Sequence, residues 1–537
     1  MGTPLRIHRR TDRLLLLPVL LVLGAAVAYP AIRLLLEAAH AWDMTVLRTG
    51  AGYHAIWNTL FISLASVLTA GMAGSALALV LVRYSFPGRR VLAALAYLPF
   101  TLPPLVGVLS FYYLIGRDGI VTRIIQTLPG LEMAEIPGAG AILLVHTYSF
   151  YVFFYAMVSA ALESIDAAQL EAARTLGAGR LRVFFRVTLP QLMPALSGAG
   201  LLTFMSSGAS FSAPYFFGGD FPMLSVEIYN ARSQFHTGEA LTLTVVLACV
   251  SLLGVIVFRT RQAVAGTAAK GTRTPIRSSA GRIAAGALCW GLVGLLLVPH
   301  IAIVWLSLAD YTAWQDELVP TVFTLDNYAR IFSESGSLRP ILNSAWMSAL
   351  ATMATLAVGL PAAYLVARMR PGGRFVNFLV MIPWALPGTV IAMNLIVAFN
   401  DPWLPLYNTI WMLPLAYFIR NIPLLTRMAA AAIEPFDPSL IEAGRTLGGS
   451  PRHCFRHITL PLLAPAIGAA CALVFALSLG EFVASILLYV PANIPISIRI
   501  NMEWRSAIGP AFAYSVILMV LVTATFLISR RFSSRMI

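Results

Sequence analysis

Long apolar stretches recur along the whole chain, separated by short polar segments rich in arginine. Each is at least about 18 residues long, enough to cross a bilayer as a helix. The pattern predicts twelve spans, at 14–36, 56–82, 91–115, 140–162, 196–217, 240–258, 283–308, 341–367, 375–398, 409–432, 466–489 and 510–529. Several contain proline, including Pro99, Pro103 and Pro104 in the third and Pro383 and Pro387 in the ninth. Membrane helices tolerate proline because neighbouring groups satisfy the freed backbone. The expected fold is an all-α membrane protein of about twelve transmembrane helices.

Composition supports that picture. Of 537 residues, 58% are hydrophobic and only 11% charged, with a mean hydropathy of +0.80. Soluble domains carry about 25% charged residues, so a soluble enzyme, a disordered chain and a secreted disulfide scaffold are excluded. The net charge of +14 is spread in short clusters between apolar runs, which is not the footprint of a nucleic-acid binder. With the N-terminus inside, basic residues favour the inner segments roughly threefold, and both termini are expected on the cytoplasmic side. Arg6, Arg9, Arg10 and Arg13 precede a first apolar run without a small-residue cleavage site, which reads as an uncleaved span. Cys249, Cys289, Cys454 and Cys471 form no C-x-x-C pair, and no His/Asp/Glu cluster has metal-ligand spacing.

The chain repeats itself. Residues 163–194 and 434–465 align without a gap at an offset of 271, with 14 of 32 positions identical. Each copy follows the fourth span of its half, so the halves run parallel. The polar stretch 259–282 reads as a cytoplasmic linker. It divides the chain into a first transmembrane domain, 1–258, and a second, 283–537.

Within each copy, Asp166 or Asp437 stands as a helix N-cap. Gln169 three residues after Asp166 makes a capping-box pattern, and Pro438 suits a first helical turn. The short helix carries Glu171 and Arg174, or Glu442 and Arg445, on one face. Gly177 and Gly448 end it. A second short amphipathic stretch is expected to close on Pro190 and Pro461 before the next span.

E-A-A-R-T-L-G…T-L-P and E-A-G-R-T-L-G…T-L-P resemble the EAA motif of binding-protein-dependent ABC importer permeases. The resemblance covers essentially the whole chain, as a fused pair of six-helix permease repeats of the type I importer fold. It implies that each motif is a coupling helix seated on one of two cytosolic ABC ATPase subunits. It further implies an external (periplasmic) substrate-binding protein and a bacterial inner-membrane location. Carried over by position, Glu171, Ala172, Ala173, Arg174 and Gly177 meet one ATPase, and Glu442, Ala443, Gly444, Arg445 and Gly448 the other. Gly444 stands where the family has alanine, and glycine in a helix interior predicts local loosening. The resemblance implies no cofactor on this chain, with ATP and Mg on the partner ATPase.

The only lysine, Lys270, lies in A-A-K-G-T, so the chain has no G-K-[ST] phosphate-binding loop and must borrow an ATPase. Glu481 and its counterpart Ser210 are candidates for the translocation path, against a helix-packing role. His146, Asn58, Asn343, Arg420 and Asn421 read as packing or capping groups. The segments around Ser210 and Glu481 look most like those of ferric-iron permeases. Thiamine, polyamine, phosphonate and sugar-phosphate permeases remain alternatives, and a twelve-span secondary transporter is the rival class.

Overall fold

The computed structural model describes residues 15–533 apart from 49, 118, 128–137, 259–273, 276–277, 312–318 and 438. The described residues are overwhelmingly helical. The one ladder among them is a two-residue parallel pairing of Tyr84–Ser85 with Thr274–Pro275. The N-terminal arginines and most of the 259–282 linker lie outside the described residues.

Among the described residues, ten helices are long and apolar enough to cross a membrane, eleven if a bent pair is one span. In chain order they include α1 (Leu15–His40), α2 (Gly50–Arg83), then α3 (Pro104–Ile115), which with Ile120–Gln126 makes one candidate. Next come α4 (Gly138–Glu163), α5 (Arg180–Gly208), α6 (Thr237–Val257), α7 (Ser279–Ser307) and α8 (Arg339–Ala367). The bent pair is α9 (Gly373–Ala385) with α10 (Gly388–Phe399). After α11 (Met412–Ile433) follow α12 (Pro451–Leu479) and α13 (Ile508–Ser533). The tenth expected span, α11, is not among these: its 22 residues include Arg420 and Arg427, and it falls short of the apolar character of the others.

The third and ninth expected spans are not straight. The α9–α10 pair bends by 111°. Leu386, preceding Pro387, is extended (φ −105°, ψ 132°), and Leu102, preceding Pro103, matches it (φ −90°, ψ 114°). A residue before proline is pushed out of the helical region by the proline ring, so both halves break at the same place.

The fifth and eleventh spans also stop early, at Gly208 and Leu479. Ser210 and Glu481 sit in the two breaks, and short helices follow at Ser212–Phe217 and Ser485–Leu488. The returning chain is tied down alike in each half. Asn58 Nδ2 donates to Pro222 O (2.9 Å) and Thr59 Oγ1 accepts from Leu224 N (3.0 Å). Asn343 Nδ2 donates to Ile494 O (3.1 Å) and Ser344 Oγ accepts from Ile496 N (2.8 Å). Backbone groups exposed by a break inside an apolar medium need such partners.

Packing forms two compact units, and each takes in the other repeat's first span. One contains Met1–Trp42 with Thr324–Ile537, the other Asp43–Phe323. In the first, Tyr29 of α1 donates its hydroxyl to Ala398 O of α10 (3.2 Å), and Arg33 lies 3.3 Å from Asp401. In the second, α7 is held by Tyr148 Oη donating to Leu296 O (2.9 Å) and by Thr101 Oγ1 against His300 Nε2 (3.3 Å). The repeat follows chain order; the packing units exchange their opening helices.

Candidate functional site

The two motifs build the same object. In the first, the helix Ala167–Thr175 starts at Asp166, whose carboxylate accepts from Ala168 N (3.0 Å). In the second, Ser439–Thr446 starts at Asp437, whose carboxylate accepts from Ser439 N (2.9 Å). Those hydrogen bonds hold the Asp437 carboxyl below its usual range. Thr175 Oγ1 donates back to Glu171 O (2.7 Å), and Thr446 Oγ1 to Glu442 O (2.9 Å). Pro438, expected in the first turn, lies outside the described residues.

The capping box at Asp166 does not form. Gln169 turns its side chain away and accepts from Gln191 Nε2 at the start of the next span (3.0 Å). A tertiary amide pair outcompetes the local cap. Nor do Glu171 and Arg174, or Glu442 and Arg445, form ion pairs; all four side chains are exposed and open to a partner.

Both helices end in one turn. Gly177 N donates to Arg174 O (2.9 Å) and Ala178 N to Ala173 O (3.1 Å). Gly448 N donates to Arg445 O (2.9 Å) and Gly449 N to Gly444 O (3.0 Å). The glycines have φ of +81° and +84°, the left-handed conformation this double-bonded ending requires. A Cβ on either would meet nothing within 4 Å, so only backbone conformation demands glycine there.

The sequence predicts that the second stretch closes on Pro190 and Pro461 before the next span; in the structure it does not. It runs straight into it, as Arg180–Gly208 and Pro451–Leu479. Wide π turns at Phe184–Thr188 and Phe455–Thr459 stand just ahead of Pro190 and Pro461. Proline lacks an N–H and crowds the carbonyl four residues back; a π turn absorbs both defects without ending the helix. The second stretch of each motif is thereby continuous with a membrane span.

The helix Ser439–Thr446 runs unbroken through Gly444. A Cβ there would stand 2.6 Å from Ile458 Cδ1 and 3.1 Å from Cys454 Sγ. The first motif has Ala173, Val183 and Val187 at the matching positions. Glycine in the second makes room for the longer isoleucine, so the two stretches pack closely.

Sequence reasoning overlooked Leu176 and Leu447. Each precedes its turn glycine and is 88% exposed, an apolar side chain held out on a rigid turn. The L-G pair in the repeat was the available signal.

Glu481 is buried, and its carboxylate accepts from Ala484 N, Ser485 N and Ser485 Oγ, each at 3.1 Å. Its Oε1 lies 3.5 Å from Arg420 Nη1. Ser210 occupies the matching break with no charge. His146 Nδ1 lies 3.1 Å from Ser66 Oγ and 3.0 Å from Ser207 Oγ, and Asn421 donates to Tyr417 O and Ser478 Oγ. Among the described residues no group of three or more His, Cys, Asp or Glu side chains is placed to hold a metal.

Residues 53–265 and again 356–537 match the family described as binding-protein-dependent transport system inner membrane component. A probable ABC transporter permease protein from Sinorhizobium fredii is 31% identical over 88% of this chain and 85% of its own length. A ferric transport system permease protein from Actinobacillus pleuropneumoniae is 28% identical over 95% of this chain and 77% of its own. A molybdenum transport system permease protein from Escherichia coli is 32% identical over 39% of this chain and 93% of its own.

Proposed function

Because the chain belongs to the binding-protein-dependent transport system inner membrane component family, carrying that unit twice, we propose that it forms both halves of an ABC importer pore. The family implies an inner-membrane transport subunit without an ATPase of its own, served by an ATPase subunit and a periplasmic binding protein. In this reading the two helix–glycine turns are coupling helices, one for each of two ATPase subunits, and both termini are cytoplasmic. The observation that carries it is the duplicated turn at Gly177 and Gly448, identical in hydrogen bonding and with an exposed leucine immediately before each glycine.

The mechanism follows from this continuity between motif and span. Each motif continues through a π turn into a span, so force on the turn moves the span as one body. ATP binding closes the ATPase dimer, draws the motifs together and opens the path outward; hydrolysis resets it.

Ferric iron is the favoured cargo, because a ferric-system relative matches along 95% of the chain. The test is uptake by proteoliposomes holding this chain and its ATPase, with the loaded binding protein outside. ATP-dependent accumulation of iron is expected. Accumulation without an ATPase subunit, driven by an ion gradient, would favour the secondary-transporter reading.

A further inference from the structure

Helix α11 is buried almost all round within its own unit. Between Met412 and Ala430 only Arg420 and Arg427 are exposed. They are seven residues apart and therefore share one face, about 10 Å apart along the axis. Read as the tenth span expected from the sequence, α11 has about 12 Å of helix on one side of Arg420 and about 20 Å on the other, which in a hydrocarbon core about 30 Å thick would set it deep. An arginine facing lipid at that depth is costly, so an exposed one faces water.

Arg420 is also built in. Its Nη1 lies 3.5 Å from Glu481, and it packs so closely on Gly388 that a Cβ there would overlap it. Glu481 is in turn held by two backbone amides and a hydroxyl in the break of the eleventh span. The first half carries Pro104, Ser149 and Ser210 at the positions of Gly388, Arg420 and Glu481, and Ala156 at that of Arg427. Four matched positions thus differ together, and their joint effect is a basic stripe in one half alone. Simple helix packing does not call for that, since the first half packs without it.

Resting on the importer reading above, we propose that the Arg420–Arg427 stripe lines the aqueous translocation path and carries the cargo as an anion, either an oxyanion or a metal ion enclosed by anionic oxygen ligands. Glu481 is a positioning residue: its carboxylate is fully engaged, and it aims the guanidinium. A bare trivalent cation would be repelled by two arginines. A guanidinium offers several N–H donors in a fork suited to carboxylate and phosphate oxygens.

The test uses the complete complex in proteoliposomes, with the four native cysteines replaced by Ala or Val and Arg420→Cys or Arg427→Cys introduced singly. Uptake is followed with radioactive ferric citrate and with molybdate, which separates a metal complex from a free oxyanion. Each introduced thiol should react with charged methanethiosulfonates from water. Arg420→Cys should lower uptake at least tenfold per assembled complex. The reagent that attaches an ammonium group should restore it severalfold, and the one that attaches a sulfonate should not. Thiols unreactive at both positions would overturn the proposal, as would equal rescue by sulfonate. If the unaltered complex takes up neither probe, the importer reading suffers, and thiol labelling alone decides whether the stripe faces water.

Discussion

Gly444 lies directly beneath Ile458, close enough that a Cβ would come within 2.6 Å of its Cδ1. The pair replaces Ala173 and Val187 of the first motif, so one methylene gained on the second stretch is offset by one lost on the first. Overpacking of this kind costs typically about 1–3 kcal/mol. Gly444→Ala should therefore lower the yield of assembled complex or its stimulated ATP hydrolysis severalfold. Adding Ile458→Val, which recreates the first motif's pair, should recover most of the loss. Failure of the double variant to recover would show that the contact is not the cause.

Gly177→Asp and Gly448→Asp should each uncouple the complex. Both glycines are left-handed, and a residue with a Cβ there costs about 1 kcal/mol or more. Open space around both means that no core is disturbed, so membrane insertion should persist. Stimulated ATP hydrolysis, normalised to the chain recovered from the membrane, is the readout. Gly177→Ala should be milder than Gly177→Asp, because it adds strain without charge.

Leu176→Ser and Leu447→Ser should leave the isolated chain as stable as before, since both side chains are exposed. They should weaken its association with the ATPase, about tenfold each if each leucine fills a pocket there. Titration of the purified ATPase against the chain in nanodiscs measures this.

Asp437 gives the second motif a defined response to acid. Its carboxyl is held below the usual carboxylate range by hydrogen bonds from Ser439. The folded form thus binds a proton less readily than the unfolded form. The cap is fully present above the ordinary carboxylate pKa and is lost only as pH falls through the lowered value. ATPase docking should therefore not change through this group between about pH 6 and 8. Asp437→Asn should leave no acid-dependent step in helix content from this cap.

The spans, the repeat, the Asp caps and the glycine turns were legible because hydropathy, internal identity and terminal residue types are local signals. The breaks at Leu102 and Leu386 were half legible: the prolines were visible, but the 111° bend was not. The exchange of α1 and α7 between packing units was invisible, because polar marks such as Arg33 on α1 and His300 on α7 do not say which of many distant residues they will meet. Gln169 misled because a hydrogen bond to Gln191, 22 residues on, cannot be weighed against a local cap from sequence. The reason for glycine at 444 was not legible, because propensity describes an isolated helix and the crowding comes from Ile458 on the next stretch.

In the proposed importer the two exposed turns are where ATPase subunits dock. A photoreactive amino acid placed at Leu176, and separately at Leu447, in the assembled complex reports on that contact itself. Illumination should join each position to the ATPase subunit, and the yield should fall when Gly177→Asp or Gly448→Asp is added to the same turn. An assembled, ATP-hydrolysing complex in which neither position links to the ATPase would mean that these turns are not the docking sites.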